Sequence, residues 1–177
     1  MKYCSSCGSL VSRTVPDGDN HERWVCPACK TVHYQNPLIV VGCVPEKDGE
    51  ILLCKRAIEP RLGYWTVPAG FMELRETVAE GAARETMEEA CADVEIGRLF
   101  AMVDVPDAGQ VHLFLTATLR GDHAAGDESL DTAMYSYDAI PWDDIAFKSG
   151  HFALKKYIED GGEDNGVHMH TIRRRRG

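Results

Sequence analysis

Apolar residues fall in short runs along most of this chain, and such runs predict strands. A near-continuous apolar stretch at 38–44 and a second at 51–56 flank the turn-forming residues Lys, Asp and Gly at 47–49, which predicts a β-hairpin. Alternating or continuous apolar patterns predict further strands at 64–67, 94–103, 111–119 and 134–138.

Two other segments carry helical signals. Thr77 is followed three positions later by Glu80 in a capping-box pattern, and residues 78–90 contain no proline, so a helix is predicted there. A second, amphipathic helix is predicted at 149–158, with Ser149 as its N-cap. Because strands and helices do not alternate strictly, the pattern predicts an α/β fold with a mixed sheet flanked by helices.

Composition narrows the class of protein. A chain of 177 residues with 44% hydrophobic and 27% charged residues suits one sizeable core plus a small appendage. Its formal net charge of −9 argues against a broad surface for nucleic acid or anionic lipid. No apolar stretch approaches the roughly 18 residues of a membrane span, and the first residues lack a signal-peptide pattern. We therefore expect a cytoplasmic protein that makes no membrane contact.

Four of the seven cysteines have the spacing of metal ligands. Cys4 and Cys7 form one pair, Cys26 and Cys29 form another, and the eighteen residues between the pairs fit a four-thiolate zinc site. A segment of this size cannot bury a core, so Zn²⁺ is expected to fold residues 1–35 as a zinc ribbon. Two disulfides or a redox pair are the alternatives, and a reducing compartment weighs against the disulfides.

Acidic residues concentrate on the predicted helix at 78–90. Glu85, Glu88 and Glu89 fall within about a third of the helix circumference, so one face is expected to pack and the other to gather carboxylates. The helix dipole disfavours anions in the last turn by about 0.3–1 kcal/mol each. Hard cations such as Mg²⁺ or Mn²⁺ bind oxygen ligands and would reverse that cost, whereas a solvated charged face is the alternative.

Two neighbours of these glutamates have expected roles of their own. Gly81 lies one turn before Glu85 and is expected to leave room above the carboxylates for substrate phosphates. Arg84 is adjacent on the helix, and its guanidinium is expected to have the structural role of holding a neighbouring carboxylate.

The segment from 70 to 92 resembles the Nudix box, the signature of hydrolases that cleave nucleoside diphosphates linked to another moiety. Residues of the required types stand at the required intervals at Gly70, Glu76, Arg84, Glu85, Glu88 and Glu89. The sequence departs from the family at Thr86 and Ala92, where bulky aliphatic residues are preferred, and at Cys91, where glycine is preferred. A left-handed turn at Cys91 would cost about 1–2 kcal/mol.

The cysteine pairs and the segments 34–37 and 64–70 extend the resemblance to the zinc-ribbon branch of the Nudix hydrolases, and within it to the plant diphosphatases of FAD and ADP-ribose. This resemblance implies a Nudix α/β/α sandwich with a mixed sheet at 36–165, preceded by the zinc ribbon. The arginine run near the end of the sequence predicts a basic tail at 166–177. NADH diphosphatases of this branch carry a Ser-Gln-Pro-Trp-Pro-Phe-Pro motif after the box, and the present sequence lacks it.

The resemblance also implies a reaction, in which water attacks one phosphorus of a diphosphate bound to Mg²⁺ or Mn²⁺. Glu85, Glu88 and Glu89 are the implied metal ligands, with Glu76 and the Gly70 carbonyl as additional candidates. ADP-ribose would give AMP and ribose 5-phosphate, and FAD would give AMP and FMN. A homodimer is also expected, because this branch often forms one.

The roles of several further candidate residues are left open by the sequence. The general base is either a box glutamate or a carboxylate on a mobile loop, and Glu128 is the candidate there, as base or as an extra metal ligand. Arg56 and Arg61 are candidates for phosphate binding. Trp65 and Phe71 are candidates for stacking on a base, with core packing as the alternative.

Other functions would leave other patterns. A zinc-ribbon adaptor for nucleic acid predicts a basic, aromatic segment at 5–30, but basic and acidic residues are mixed there. A ligand sensor without activity predicts loss of the box carboxylates, which are all present. Removal of a dinucleotide cap from RNA, aided by the four arginines at 173–176, is the third alternative. His168 and His170 have the spacing of a chelating pair, although a terminal strand would explain it equally.

Overall fold

The computed structural model describes residues 1–173, which divide after Pro37 into two compact units. Most of the predicted arginine run, at 174–176, lies outside the described residues. The first unit contains three short strands, and they pair antiparallel in the order β1-β2-β3. These strands are β1 (Ser12–Thr14), β2 (Arg23–Val25) and β3 (Val32–His33).

A mixed eight-stranded sheet forms the framework of the second unit. Its strands are β4 (Leu38–Lys47), β5 (Glu50–Arg56), β6 (Trp65–Thr66), β7 (Ala69–Phe71), β8 (Asp93–Val105), β9 (Gln110–Arg120), β10 (Ser129–Ser136) and β11 (His168–Thr171). The order is β10-β5-β4-β9-β8-β11, with β6 beside β5 and β7 beside β4. β4 pairs parallel with β9 and β8 pairs parallel with β11, whereas the remaining pairs are antiparallel.

Two α-helices, α1 (Val78–Ala90) and α2 (Lys148–Asp160), pack on opposite faces of this sheet. Successive residues of a strand point to opposite faces, and on β4 Cys43 belongs to the cluster that contains Ala82 of α1, while Val44 belongs to the cluster that contains Ala153 of α2. The predicted α/β/α sandwich with a mixed sheet is therefore confirmed. Neither α-helix within residues 1–173 is long and apolar enough to cross a bilayer.

The capping box fixes the start of α1 as predicted. The Glu80 backbone N–H donates to Thr77 Oγ1 at 3.2 Å, and the Thr77 N–H donates to Glu80 Oε2 at 2.7 Å. The predicted orientation of this helix is wrong, however. Glu85 and Glu89 lie on its buried side, and Met87, an apolar residue on the face opposite the glutamates, is 48% exposed.

The start of α2 also differs from the prediction. Phe147 occupies the N-cap position without a side-chain hydrogen bond, and Ser149 lies inside the helix, 4% exposed. The reason is a contact with the sheet, because Ser149 Oγ lies 2.9 Å from Nδ1 of His112 on β9. The Gln110 side-chain oxygen lies 3.0 Å from His112 Nε2. That oxygen only accepts, so Nε2 donates to it and Nδ1 accepts from the serine hydroxyl.

This arrangement makes stability depend on pH. Burial lowers the pKa of His112, so the unfolded chain binds the proton first as the pH falls below the ordinary histidine value of about 6.5. We expect the free energy of unfolding of the native chain to fall more steeply below about pH 6.5 than that of His112→Asn, measured by urea unfolding across this range. His123→Asn is the matched control and should retain the native slope. Equal slopes for the native chain and His112→Asn would contradict the assignment.

β11 (His168–Thr171) lies within residues 166–177, which were predicted to form a basic tail. β11 pairs with β8, His168 Nε2 lies 2.9 Å from Asp160 Oδ1, and the His170 ring stacks on Phe152 with centroids 4.8 Å apart. The alternation of these histidines is therefore that of a terminal strand.

Candidate active site

β7 brings a strand directly against the carboxylates of α1. Gly70 pairs with Val41 of β4, and a Cβ added at Gly70 would overlap the Glu85 carboxylate. Because only glycine permits this approach, Gly70 allows the Glu85 side chain to lie between the sheet and the helix.

Arg84 connects the segment after β7 to the helix. It donates from Nε to Glu76 Oε2 at 3.0 Å, and from Nη2 to Glu76 Oε1 at 2.9 Å and to the Phe71 carbonyl at 3.0 Å. The Glu73 N–H also donates to Glu76 Oε1. These bonds, above all those from Arg84, lower the pKa of Glu76 to about 2. Both Glu76 oxygens are thus occupied by protein donors.

The remaining terminal nitrogen of Arg84 holds two carboxylates of the box. Nη1 donates to Glu85 Oε1 at 2.8 Å and to Glu88 Oε2 at 2.9 Å. The Glu88 side chain is exposed, whereas Glu85 is buried. One guanidinium therefore orients the side chains of three glutamates, including Glu76.

Glu89 is the most deeply placed of these acids. It is 7% exposed, and its Oε2 is buried without a hydrogen-bond partner among residues 1–173. Burial, followed by the charge of Glu85, raises the pKa of Glu89 to about 8, and burial also raises the pKa of Glu85. Two buried carboxylates thus repel one another beside an unsatisfied oxygen, and a cation would relieve that repulsion.

Two other predicted residues act on this cluster through their charges. The charge of Glu128 raises the pKa of both Glu85 and Glu89, while the charge of Arg56 lowers that of Glu89. Arg61 stacks on the Tyr64 ring at 5.2 Å instead, and within the described part of the chain it has no ion pair with the box glutamates.

The two aromatic candidates lie in different surroundings. Trp65 packs edge-on against Tyr135 with centroids 5.2 Å apart, and it borders the main hydrophobic core. Phe71 is 49% exposed, and its backbone carbonyl is the atom that accepts from Arg84.

The space expected above Gly81 is closed. A Cβ at this position would lie 2.7 Å from Glu76 Oε1 and 2.8 Å from Val41 Cγ2, so Gly81 allows the helix to pack against the sheet. Substrate phosphates cannot approach through it, and that expectation is wrong.

Cys91 ends α1 in the left-handed conformation, with φ 46° and ψ 35°. Glycine avoids the clash between Cβ and carbonyl, so we expect Cys91→Gly to raise the free energy of unfolding by about 1 kcal/mol, measured by urea unfolding. Cys91→Ala keeps the Cβ and should give no such gain. A Cys91→Gly variant no more stable than Cys91→Ala would refute this explanation.

The four predicted zinc ligands also come together. The Sγ atoms of Cys4, Cys7, Cys26 and Cys29 lie within 4.8 Å of one another, with 3.6 Å between Cys4 and Cys29. A tetrahedral site with Zn–S bonds of about 2.3 Å requires sulfur separations of about 3.8 Å, so the geometry fits zinc. Among His, Cys, Asp and Glu of residues 1–173, this is the single group of three or more whose ligand atoms are so close; the glutamates of α1 lie further apart.

Comparisons with known proteins agree with this geometry. The family described as Nudix N-terminal, a zinc ribbon, matches residues 2–35, and the NUDIX domain matches residues 36–160. An ADP-ribose pyrophosphatase of Methanocaldococcus jannaschii is 32% identical over 113 residues, which cover 61% of this chain and 67% of that protein. The NAD-capped RNA hydrolase NudC of Edwardsiella ictaluri is 32% identical over 150 residues, which cover 79% of this chain and only 53% of that protein.

A solved structure extends the similarity over both units. The crystal structure of a Nudix hydrolase from Nitrosomonas europaea matches with a TM-score of 0.94 and 47% identity, and the match covers 98% of this chain and 100% of that one. The NUDIX domain alone matches well over half of the 177 residues, and a zinc ribbon precedes it. The chain therefore belongs to the zinc-ribbon branch of the Nudix hydrolase family.

Proposed function

We propose that this protein is a metal-dependent diphosphatase of nucleoside diphosphate derivatives, with ADP-ribose and FAD as the favoured substrates. The observation that carries the proposal is the buried Glu89 oxygen, which has no hydrogen-bond partner in the described part of the chain and experiences the charges of Glu85 and Glu128. ADP-ribose is supported by the similarity to the M. jannaschii pyrophosphatase, and FAD by the resemblance to the plant enzymes.

The carboxylates suit a hard divalent cation, because Mg²⁺ and Mn²⁺ prefer oxygen ligands. Glu85, Glu88 and Glu89 would hold it, with the Gly70 carbonyl as a further ligand. Glu76 has a different role in this proposal, since both of its oxygens are bonded to protein donors and its contribution is to hold Arg84. A cation bound there would supply charge neutralisation to the diphosphate and to its leaving oxygen.

The other residues act on water and phosphate. Glu128 accepts the proton of the attacking water, whose oxygen bonds to one phosphorus while the bridging P–O bond breaks and the second phosphate leaves. Arg56, whose charge lowers the pKa of Glu89, would hold a phosphate oxygen, and Arg61, on the loop that follows β5, would contact the substrate. ADP-ribose then yields AMP and ribose 5-phosphate.

NAD-capped RNA is the second candidate substrate. It is favoured by the match to NudC over 79% of this chain, which is longer than the match to the pyrophosphatase. The match covers only 53% of NudC, against 67% of the pyrophosphatase, so we place capped RNA second. The missing Ser-Gln-Pro-Trp-Pro-Phe-Pro motif argues against NADH as the preferred substrate.

One panel separates these candidates. The full chain is incubated with Mg²⁺ or Mn²⁺ and with ADP-ribose, FAD, NADH, diadenosine polyphosphates or NAD-capped RNA, and the products are resolved by chromatography. Omitting the metal is a better control than a chelator, because a chelator would also remove zinc. We expect AMP from ADP-ribose or FAD only when the metal is present. Faster cleavage of capped RNA would favour the second candidate, and no cleavage at all would refute the proposal.

The expected homodimer and the expected cytoplasmic location remain predictions from the resemblance and from composition.

A further inference from the structure

We propose that Gly126 is a positioning residue for this reaction. By allowing the segment 124–129 to lie directly on the carboxyl end of α1, it holds Glu128, the proposed base, next to the end of the helix that carries Glu89. The inference rests on the proposed diphosphatase function. Gly126 lies outside the Nudix box at 70–92.

The segment binds the helix end through its backbone. The last four carbonyls of an α-helix lack partners within the helix. Here the Ala124 N–H donates to the Ala90 carbonyl at 2.9 Å, and the Gly126 N–H donates to the Glu89 carbonyl at 3.0 Å. The backbone of a metal-ligand candidate is therefore bonded directly to the segment that carries Glu128.

Gly126 is required by this close approach and not by its own conformation. Its φ lies outside the left-handed region, so alanine could adopt the same backbone. A Cβ there would overlap the Glu88 carbonyl oxygen and lie 2.8 Å from the Glu88 carbonyl carbon. These atoms belong to the helix backbone and cannot rotate away, so an alanine would displace the segment from α1.

Backbone hydrogen bonds on either side of Glu128 couple its position to that of Gly126. The Ser129 N–H donates to the Gly126 carbonyl at 3.0 Å, and the Ala57 N–H donates to the Glu128 carbonyl at 2.8 Å. β10 begins at Ser129, which pairs with Arg56 of β5. The backbone of Glu128 is thus held between the helix end and the sheet, whereas a mobile loop was expected there.

A mutant cycle with ADP-ribose as substrate tests the inference. A displacement of about 1 Å in a reacting group costs about a hundredfold in rate, so we expect Gly126→Ala to lower kcat by about a hundredfold with KM within about twofold of the native value. Glu128→Gln, which removes the base, should cost at least about a hundredfold in kcat. Because Gly126 acts through Glu128, the double variant should be no slower than Glu128→Gln.

Gly121→Ala is the matched control. It lies in the same connection between β9 and β10, its Cβ would meet no atom within 4 Å, and its φ of 73° makes alanine unfavourable. It should therefore lose stability and keep the native kcat. A second readout needs neither metal nor substrate, since amide hydrogen exchange at Ala124 and Gly126 should be slow in the native chain and fast in Gly126→Ala.

The outcomes separate this inference from the function on which it rests. If the native chain cleaves no diphosphate, the proposed function fails and the inference fails with it. If the native chain is active but Gly126→Ala keeps its kcat, or the losses add in the double variant, only the inference is overturned. Rapid exchange of the two amides in the native chain would also overturn it.

Discussion

Glu89→Gln is expected to change activity and stability in opposite directions. Charge stabilisation by a bound cation is worth several kcal/mol, so kcat for ADP-ribose should fall by about a thousandfold or more. Without divalent metal, the same substitution should raise the free energy of unfolding, because burial and the charge of Glu85 oppose the ionisation of Glu89 in the folded chain, and glutamine has no proton to lose. Steady-state kinetics and urea unfolding of the metal-free chain measure the two effects.

The pH dependence of this stabilisation has a definite sign. The folded-state pKa of Glu89 is raised to about 8 by burial and by Glu85, so the unfolded chain loses the proton first as the pH rises. The metal-free native chain should therefore lose stability relative to Glu89→Gln from the ordinary glutamate pKa of about 4.3 up to about pH 8. Mg²⁺ should raise the melting temperature of the native chain more at the alkaline end of this window, and that of the variant very little.

A charge-removing substitution elsewhere provides the control. Glu50→Gln changes an exposed glutamate on β5 and should leave kcat and the response to Mg²⁺ unchanged. If Glu89→Gln lowered stability together with activity, Glu89 would be a structural residue and its proposed role as a metal ligand would be wrong.

These expectations depend on where α1 begins and on which of its sides is buried, and the sequence predicts only the first of the two. The start of α1 was predicted because Thr77 and Glu80 determine it locally. The buried side of α1 was not predicted, because charged carboxylates are normally expected to face solvent. Here Gly70 and Gly81 let the sheet approach closely enough to bury Glu85 and Glu89 instead.

Other features of the fold were not predicted, because the elements are short or because the contacts join residues far apart in the sequence. β7 has three residues and β11 has four, too few for a hydrophobic period to be visible. Gly126 contacts the end of α1 through backbone atoms, so no pattern of side-chain types in the sequence indicates the contact. Ser149 matches an N-cap by type, but its bond to His112 could be found only after β9 and α2 were placed together.

Loss of zinc is expected to unfold the first unit and leave the fold of the second in place. Structural zinc contributes about 10–16 kcal/mol of apparent binding free energy, and the strands of residues 1–37 comprise eight residues in all, none of them buried. The main hydrophobic core lies entirely beyond residue 38, so it does not depend on the cysteine cluster.

Cys26→Ser tests this dependence, because Cys26 is fully buried and supplies one of the four sulfurs. We expect the purified variant to contain less than a full equivalent of zinc by elemental analysis, and its amides in 1–37 to exchange at the rate of an unfolded chain. Amides of β4 and β9 should stay protected, since they pair within the second unit. Cys91→Ser, an exposed cysteine outside the cluster, should keep both the zinc and the protection. Full zinc content in Cys26→Ser would show that the four thiolates are not the metal ligands, whereas loss of protection in β4 and β9 would show that the second unit needs the ribbon to fold.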